Sequence, residues 1–180
     1  MFNIVLFEPE QPGNVGNIIR LCANANAQLH IIKPIPFEMD DKKLRRAGLD
    51  YHEYVHIKWY DSYDDFVQQN PQARVFSLTT KGSTTYSEIK IEPNDFFLFG
   101  PESRGLPDHV RNHTYGRIRI PMAAYARSIN LANSVSIMLY EALRQQNFPE
   151  LTLASPDFKP VKTSLGKRLA LAVRIIFKGN

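Results

Sequence analysis

The chain has 180 residues, 43% of them hydrophobic, which suits one globular domain with a proper core and not two. No run approaches the ~18 apolar residues of a membrane-crossing helix, and the single cysteine, Cys22, excludes a disulfide framework and a cysteine-rich zinc site. The net charge of +4 is concentrated in residues 151–180, where Lys159, Lys162, Lys167, Arg168, Arg174 and Lys178 face only Asp157.

Residues 1–150 are therefore close to neutral, and an anionic partner of that part must be held by local patches and not by a global field. The start, MFNIVLFEPEQPGN, lacks the basic segment and small-residue cleavage site of a signal peptide, so a cytoplasmic location is expected.

Phe2 to Phe7 reads as a buried strand. Val15 to Ala25 carries Ile18, Ile19, Leu21, Cys22 and Ala25 at helical spacing. Leu29 to Ile32 is a second short strand, closed by Pro34 and Pro36. Asp40 to Ala47 reads as a helix with acids first and bases last, matching its dipole. Tyr54 to Tyr60 reads as a strand and Ser62 to Gln69 as a helix. Strands follow at Val75 to Leu78, Phe96 to Phe99 and Ile118 to Ile120. Asn130 to Gln146 is the longest helix, with Leu131, Val135, Met138 and Leu139 on one face. This alternation predicts an α/β fold, a mostly parallel sheet flanked by helices, with ligands bound beyond the carboxyl ends of the strands.

One motif points elsewhere. His52-Glu53-Tyr54-Val55-His56 fits H-E-x-x-H, the signature of zinc peptidases. That chemistry needs both histidines on one helical face, within ~2 Å of a metal. Here Val55, Ile57 and Trp59 alternate with His56, Lys58 and Tyr60, a period of two. On a strand, residues four apart lie about 13 Å from each other, too far for one metal. His109 and His113 repeat the spacing without the glutamate. No metal site is expected.

Three segments carry more chemistry, each placed after a strand. The first, PGNVGNIIR at 12–20, offers a turn at Pro12-Gly13, Asn14 as a cap for the helix that follows, and Asn17 and Arg20 on one helix face. The second, FLFGPESRGLP at 97–107, begins like a phosphate loop but has Leu106 and Pro107 where Lys and Ser/Thr are required, so nucleotide hydrolysis is not indicated. What remains is a tight loop rich in backbone donors and acceptors, with Glu102 and Arg104 projecting. The third, residues 117–142, runs from a strand through a polar turn with Arg127, Ser128 and Asn130 into the long helix. Ser128 or Asn130 caps that helix in the simplest reading, which leaves Asn133 and the Ile120-Pro121-Met122 step unexplained.

Taken together, N-x-G-N-x-x-R at 14–20, FGPESRGLP at 99–107 and IPM…RSINLANS at 120–134 resemble the three motifs of the SPOUT methyltransferases. The similarity is closest to the small, single-domain tRNA 2′-O-methyltransferases that act on the wobble cytidine or uridine. DDKKLRRAGLDYHE at 40–53 is also similar to that subfamily, which accounts for His52-Glu53 without zinc.

The resemblance implies an α/β fold with a deep C-terminal trefoil knot, S-adenosylmethionine as cofactor, no metal, no membrane partner, and a homodimer whose tRNA sites are built from both subunits. By position, the cofactor would rest on Leu78, Thr79, Gly100, Glu102, Gly105, Ile120, Met122, Ser128 and Leu131. Arg20 would be the catalytic candidate, with Asn14, Ser128 and Asn130 positioning it or the hydroxyl. A guanidinium stays protonated, so Arg20 is expected to orient the 2′-oxygen or a phosphate and not to act as the base. Arg104, Arg127, Lys42, Lys43, Arg45 and Arg46 would meet tRNA. A rival reading is a non-catalytic RNA-binding protein with the same fold.

The resemblance covers roughly residues 1–150, the expected methyltransferase domain. Residues 151–180 depart from it. Pro156 and Pro160 suggest a linker, and Leu165, Leu169, Val173 and Ile176 suit a basic amphipathic helix or a poorly ordered extension.

Overall fold

The computed structural model describes residues 1–38 and 57–154. Its framework is a sheet whose three central strands are apolar at nearly every position, as burial on both faces demands. β1 spans Asn3–Phe7, β2 Gln28–Ile32, β3 Ile57–Tyr60, β4 Val75–Leu78, β5 Thr84–Thr85, β6 Phe96–Phe99 and β7 Gly116–Arg119. All seven join one sheet in the order β3-β2-β1-β6-β4-β7-β5, and every pairing is parallel. Alternate β1 residues serve opposite cores: Ile4 and Leu6 pack on one face, Val5 and Phe7 on the other.

Three described helices connect strands, α1 Pro12–Asn24, α2 Tyr63–Gln69 and α3 Asp108–Asn112, and a fourth, α4 Leu131–Gln145, follows the last strand. α1 and α4 cover the first face through Val15, Ile18, Ile19 and Cys22 against Leu131, Val135, Met138 and Leu139. α2 and α3 cover the second with Phe66 and Val110. Ser62 caps α2 by accepting from Asp65 N at 3.1 Å.

Several expected boundaries move. α1 begins at Pro12, not Val15, because proline suits the first helical position, where no N–H is needed. Asn14 therefore lies inside the first turn and does not cap α1. The last long strand is Gly116–Arg119, so Ile120 lies beyond it. β5 and α3 have two and five residues, too short for periodicity to register. The expected helix at 40–47, residues 54–56 of the expected third strand, the H-E-x-x-H stretch and the tail after 154 lie outside the described residues.

Candidate active site

β1 and β6 are neighbours, yet the chain leaves β1 toward β2 and leaves β6 toward β7, on the far side of β4. Connections that diverge in this way leave a crevice at the strands' carboxyl ends. A cavity of about 870 Å³ lies there, within the usual range for small-molecule sites. Four strand ends supply its walls: Gln11 and Asn14 after β1, Leu78 to Lys81 at β4, Phe99 to Asp108 after β6, and Ile120, Met122 and Arg127 to Leu131 after β7.

Glycine is required where this loop doubles back. A Cβ on Gly100 would lie 2.5 Å from Leu106 N and 2.6 Å from the Gly105 carbonyl carbon, and Gly105 has φ +67°. Gly105 N donates to Pro101 O at 2.9 Å, closing the loop. Arg111 on α3 fixes its far end, donating from Nη1 to Leu106 O at 3.3 Å and from Nη2 to Asp108 Oδ1 at 2.6 Å.

One hydrogen-bond chain ties three segments together. Glu102 accepts from Glu10 N at 2.9 Å, from Gln11 N at 3.3 Å and from Asn14 Nδ2 at 2.8 Å. Asn14 Oδ1 accepts from Asn130 Nδ2 at 3.0 Å. Asn130 Oδ1 in turn accepts from Asn133 N at 3.3 Å, capping α4. The loop after β6, the start of α1 and the start of α4 thus share one set of polar contacts. Glu102 does not project, as the sequence suggested. Its carboxylate sits at the N-terminus of α1, where exposed N–H groups and the helix dipole favour an anion.

Arg104 does not project freely either. Glu8 and Glu10 both pair with it, Glu10 through Nη1 at 3.2 Å. Ser103 donates to Glu10 from Oγ at 2.6 Å and from N at 2.9 Å. The Ser103 hydroxyl, its amide and the Arg104 charge together hold the Glu10 carboxyl below its usual range. Sequence reading missed Glu8, Glu10 and Ser103. The signal was their place directly after β1 and inside the β6 loop, at strand carboxyl ends.

The cavity gathers every predicted cofactor residue: Leu78, Thr79, Gly100, Glu102, Gly105, Ile120, Met122, Ser128 and Leu131. Asn14, Asn130, Arg104 and Arg127 line it as well. Arg20 does not. It lies exposed on α1, six residues beyond Asn14 and about 120° around the helix from it. Lys42, Lys43, Arg45 and Arg46 are outside the described residues. Among the described residues, no group of three or more His, Cys, Asp or Glu could hold a metal ion, and no helix is long and apolar enough to cross a membrane.

Residues 1–140 match the SpoU rRNA Methylase family. The chain belongs to that family. A tRNA (cytidine(34)-2′-O)-methyltransferase from Yersinia pestis is 53% identical over 156 residues, 83% of this chain and 96% of the relative. A structure solved for insight into the 2-OH methylation of C/U34 on tRNA superposes with a TM-score of 0.77 at 40% identity, covering 82% of this chain and 97% of that one. A SpoU methyltransferase from Streptomyces viridochromogenes, in complex with AdoMet, gives a TM-score of 0.71 at 25% identity over 81% of this chain and 57% of its own. In this SpoU-family chain, the three polar segments that the resemblance rests on are the ones that meet at the cavity.

Proposed function

We propose that this protein transfers a methyl group from S-adenosylmethionine to the ribose 2′-hydroxyl of nucleotide 34, a cytidine or uridine, in tRNA. The observation that carries the reading is the cavity that joins Asn14, Ser128 and Asn130 to an apolar wall at four parallel strand ends. The relatives named above support the substrate and position.

The residues present suit such a cofactor. Leu78, Ile120, Met122 and Leu131 offer apolar surface, and the 100–107 loop offers backbone donors and acceptors at a place where a Cβ on Gly100 has no room. S-adenosylmethionine, when bound, supplies an electrophilic methyl on a sulfonium. Asn14, Ser128 and Asn130 hold the approaching ribose, and the Glu102–Asn14–Asn130 chain fixes their orientation. Fixed placement is the main service such a displacement needs. Arg20 orients the 2′-oxygen or an adjacent phosphate and stabilises developing negative charge.

Arg20 stands outside the cavity of its own chain, which supports a homodimer in which it serves the partner's site. Residues 1–150 form the methyltransferase domain in this reading, and 151–180 an extension. β4 lies between β6 and β7 in the sheet, an order in keeping with a trefoil knot formed by the segments after β6 and β7. Arg104, Arg127, Lys42, Lys43, Arg45 and Arg46 contact tRNA, and the work is done in the cytoplasm.

The test is incubation of the purified protein with methyl-labelled S-adenosylmethionine and tRNA. Label in tRNA is expected, and Arg20→Lys, which keeps the charge but loses the planar fork, is expected to cut the rate at least tenfold. Cofactor binding without transfer to any tRNA would favour the non-catalytic RNA-binding reading.

A further inference from the structure

Two connections leave adjacent strands at one side of the cavity, residues 79–82 after β4 and 120–130 after β7. The first folds against the end of β7, from which the second departs: Thr79 N donates to Ile118 O at 2.9 Å, Gly82 N donates to Thr79 O at 3.1 Å, and a Cβ on Gly82 would lie 2.5 Å from the Ile118 carbonyl carbon. Each connection gives the cavity one exposed cation, Lys81 and Arg127. Unlike Arg104, neither forms an ion pair among the described residues.

Tyr125 lies between the cavity-lining residues Met122 and Arg127. A turn closed by Ala126 N to Ala123 O at 2.9 Å carries it. Its exposure is 92%, the highest of the large hydrophobic side chains among the described residues. Tyr115, the next most exposed of the described tyrosines, has an explanation: its ring meets Phe76 at 5.2 Å and Arg74 at 5.1 Å. Tyr125 meets no ring among the described residues. A scattered exposed aromatic needs no account. An exposed ring two residues from Arg127, on a connection that lines the same cavity as Lys81, has the composition of a single-stranded nucleic-acid platform: stacking surface plus phosphate neutralisation.

We propose that Tyr125, on the connection that carries Arg127 and beside the cavity that Lys81 and Arg127 line, stacks on a base of the single-stranded RNA segment that holds the target ribose. The inference rests on the proposed function and adds the residue that grips a neighbouring base. The two uncompensated positive charges favour an anionic strand over a second copy of this chain as the occupant.

Full-length wild type, Tyr125→Phe, Tyr125→Ala and Lys81→Gln are compared for methyl transfer to tRNA, for S-adenosylmethionine affinity by calorimetry, and for association state by sedimentation. Stacking on one base is worth about 5- to 140-fold in affinity. Tyr125→Ala should raise the KM for tRNA about tenfold, with cofactor affinity, association state and salt dependence unchanged, and Tyr125→Phe should stay within about twofold of wild type. Lys81→Gln should lower the slope of log affinity against log salt by about 0.7. A wild-type KM in Tyr125→Ala overturns the inference while leaving the methyltransferase reading intact. A changed association state in Tyr125→Ala also overturns it, by assigning the ring to a protein contact. A wild type that methylates no tRNA removes the reading and the inference together.

Discussion

Replacing Glu102 with glutamine separates two roles that the residue could have, holding the cofactor or clamping the start of α1. The carboxylate accepts three hydrogen bonds from residues 10–14, at 2.9, 3.3 and 2.8 Å. Glutamine has one acceptor oxygen, so its amide must turn a donor toward either Glu10 N or the Gln11–Asn14 pair. A hydrogen bond to a charged group contributes about 1.5–3 kcal/mol, and an anion at a helix N-terminus about 0.3–1 kcal/mol. Glu102 is only partly buried, which discounts both toward the lower end. A net loss of about 2 kcal/mol follows. For a chain of this length, that lowers Tm by about 4–8 °C. Asn14 also loses its anchor, and misplacement on the ångström scale costs about 100-fold in rate. Thermal denaturation, cofactor calorimetry and kcat at saturating tRNA read the three quantities. The clamp predicts a lower Tm and a lower kcat with cofactor affinity nearly unchanged. An unchanged Tm and kcat with weakened cofactor binding would refute it and return Glu102 to the cofactor.

Other expectations follow from particular groups. Gly100→Ala forces a methyl against backbone atoms at 2.5 and 2.6 Å, at a cost of about 1–3 kcal/mol, so calorimetry should show cofactor affinity down by about fivefold or more, and wild-type affinity would contradict the packing argument. Burial, helped by the Lys58 charge, pushes His30 down from 6.5 to about 4. The unfolded chain therefore binds the extra proton between those values, so stability is complete above pH 6.5 and falls by up to about 3 kcal/mol as pH drops to 4. Urea titrations of wild type and His30→Phe should show that slope only in wild type. Cys22 is buried and pushed up to about 12, so a thiol reagent should react with it only after denaturant is added. If two chains share each site, Arg20→Ala and Asn130→Ala, each inactive alone, should regain about a quarter of wild-type activity when co-refolded, because half the dimers then carry one intact site. A mixture no more active than its parents would refute the sharing.

The fold was legible where burial on both faces leaves a continuous apolar run. FNIVLF, VFSL and FFLF could hardly be anything but inner strands, and α1 and α4 announced themselves by their spacing. β5 and α3 could not be read, since two or five residues carry no period. The start of α1 was misplaced because Asn14 was read as a cap, when Pro12 had already set the helix. For the site, the family resemblance found the residues that line the cavity, but not how they engage one another. Glu102 and Arg104 look alike in sequence, two charged groups on a glycine-bounded loop. Only the fold reveals that one folds back onto α1 and the other is held by Glu8 and Glu10, some 90 residues earlier. Long-range pairing of that kind leaves no local pattern. Arg20 is the reverse case: its motif places it with Asn14, while helix geometry turns it away within one chain.

The measurement that bears most directly on the central claim is the position of the methyl group. tRNA from a strain lacking this protein is incubated with the protein and labelled S-adenosylmethionine, then digested and mapped by mass spectrometry. A 2′-O-methyl group on the ribose of nucleotide 34, cytidine or uridine, is the predicted result. Label confined to any other nucleotide, or to a base in place of a ribose, would contradict the account.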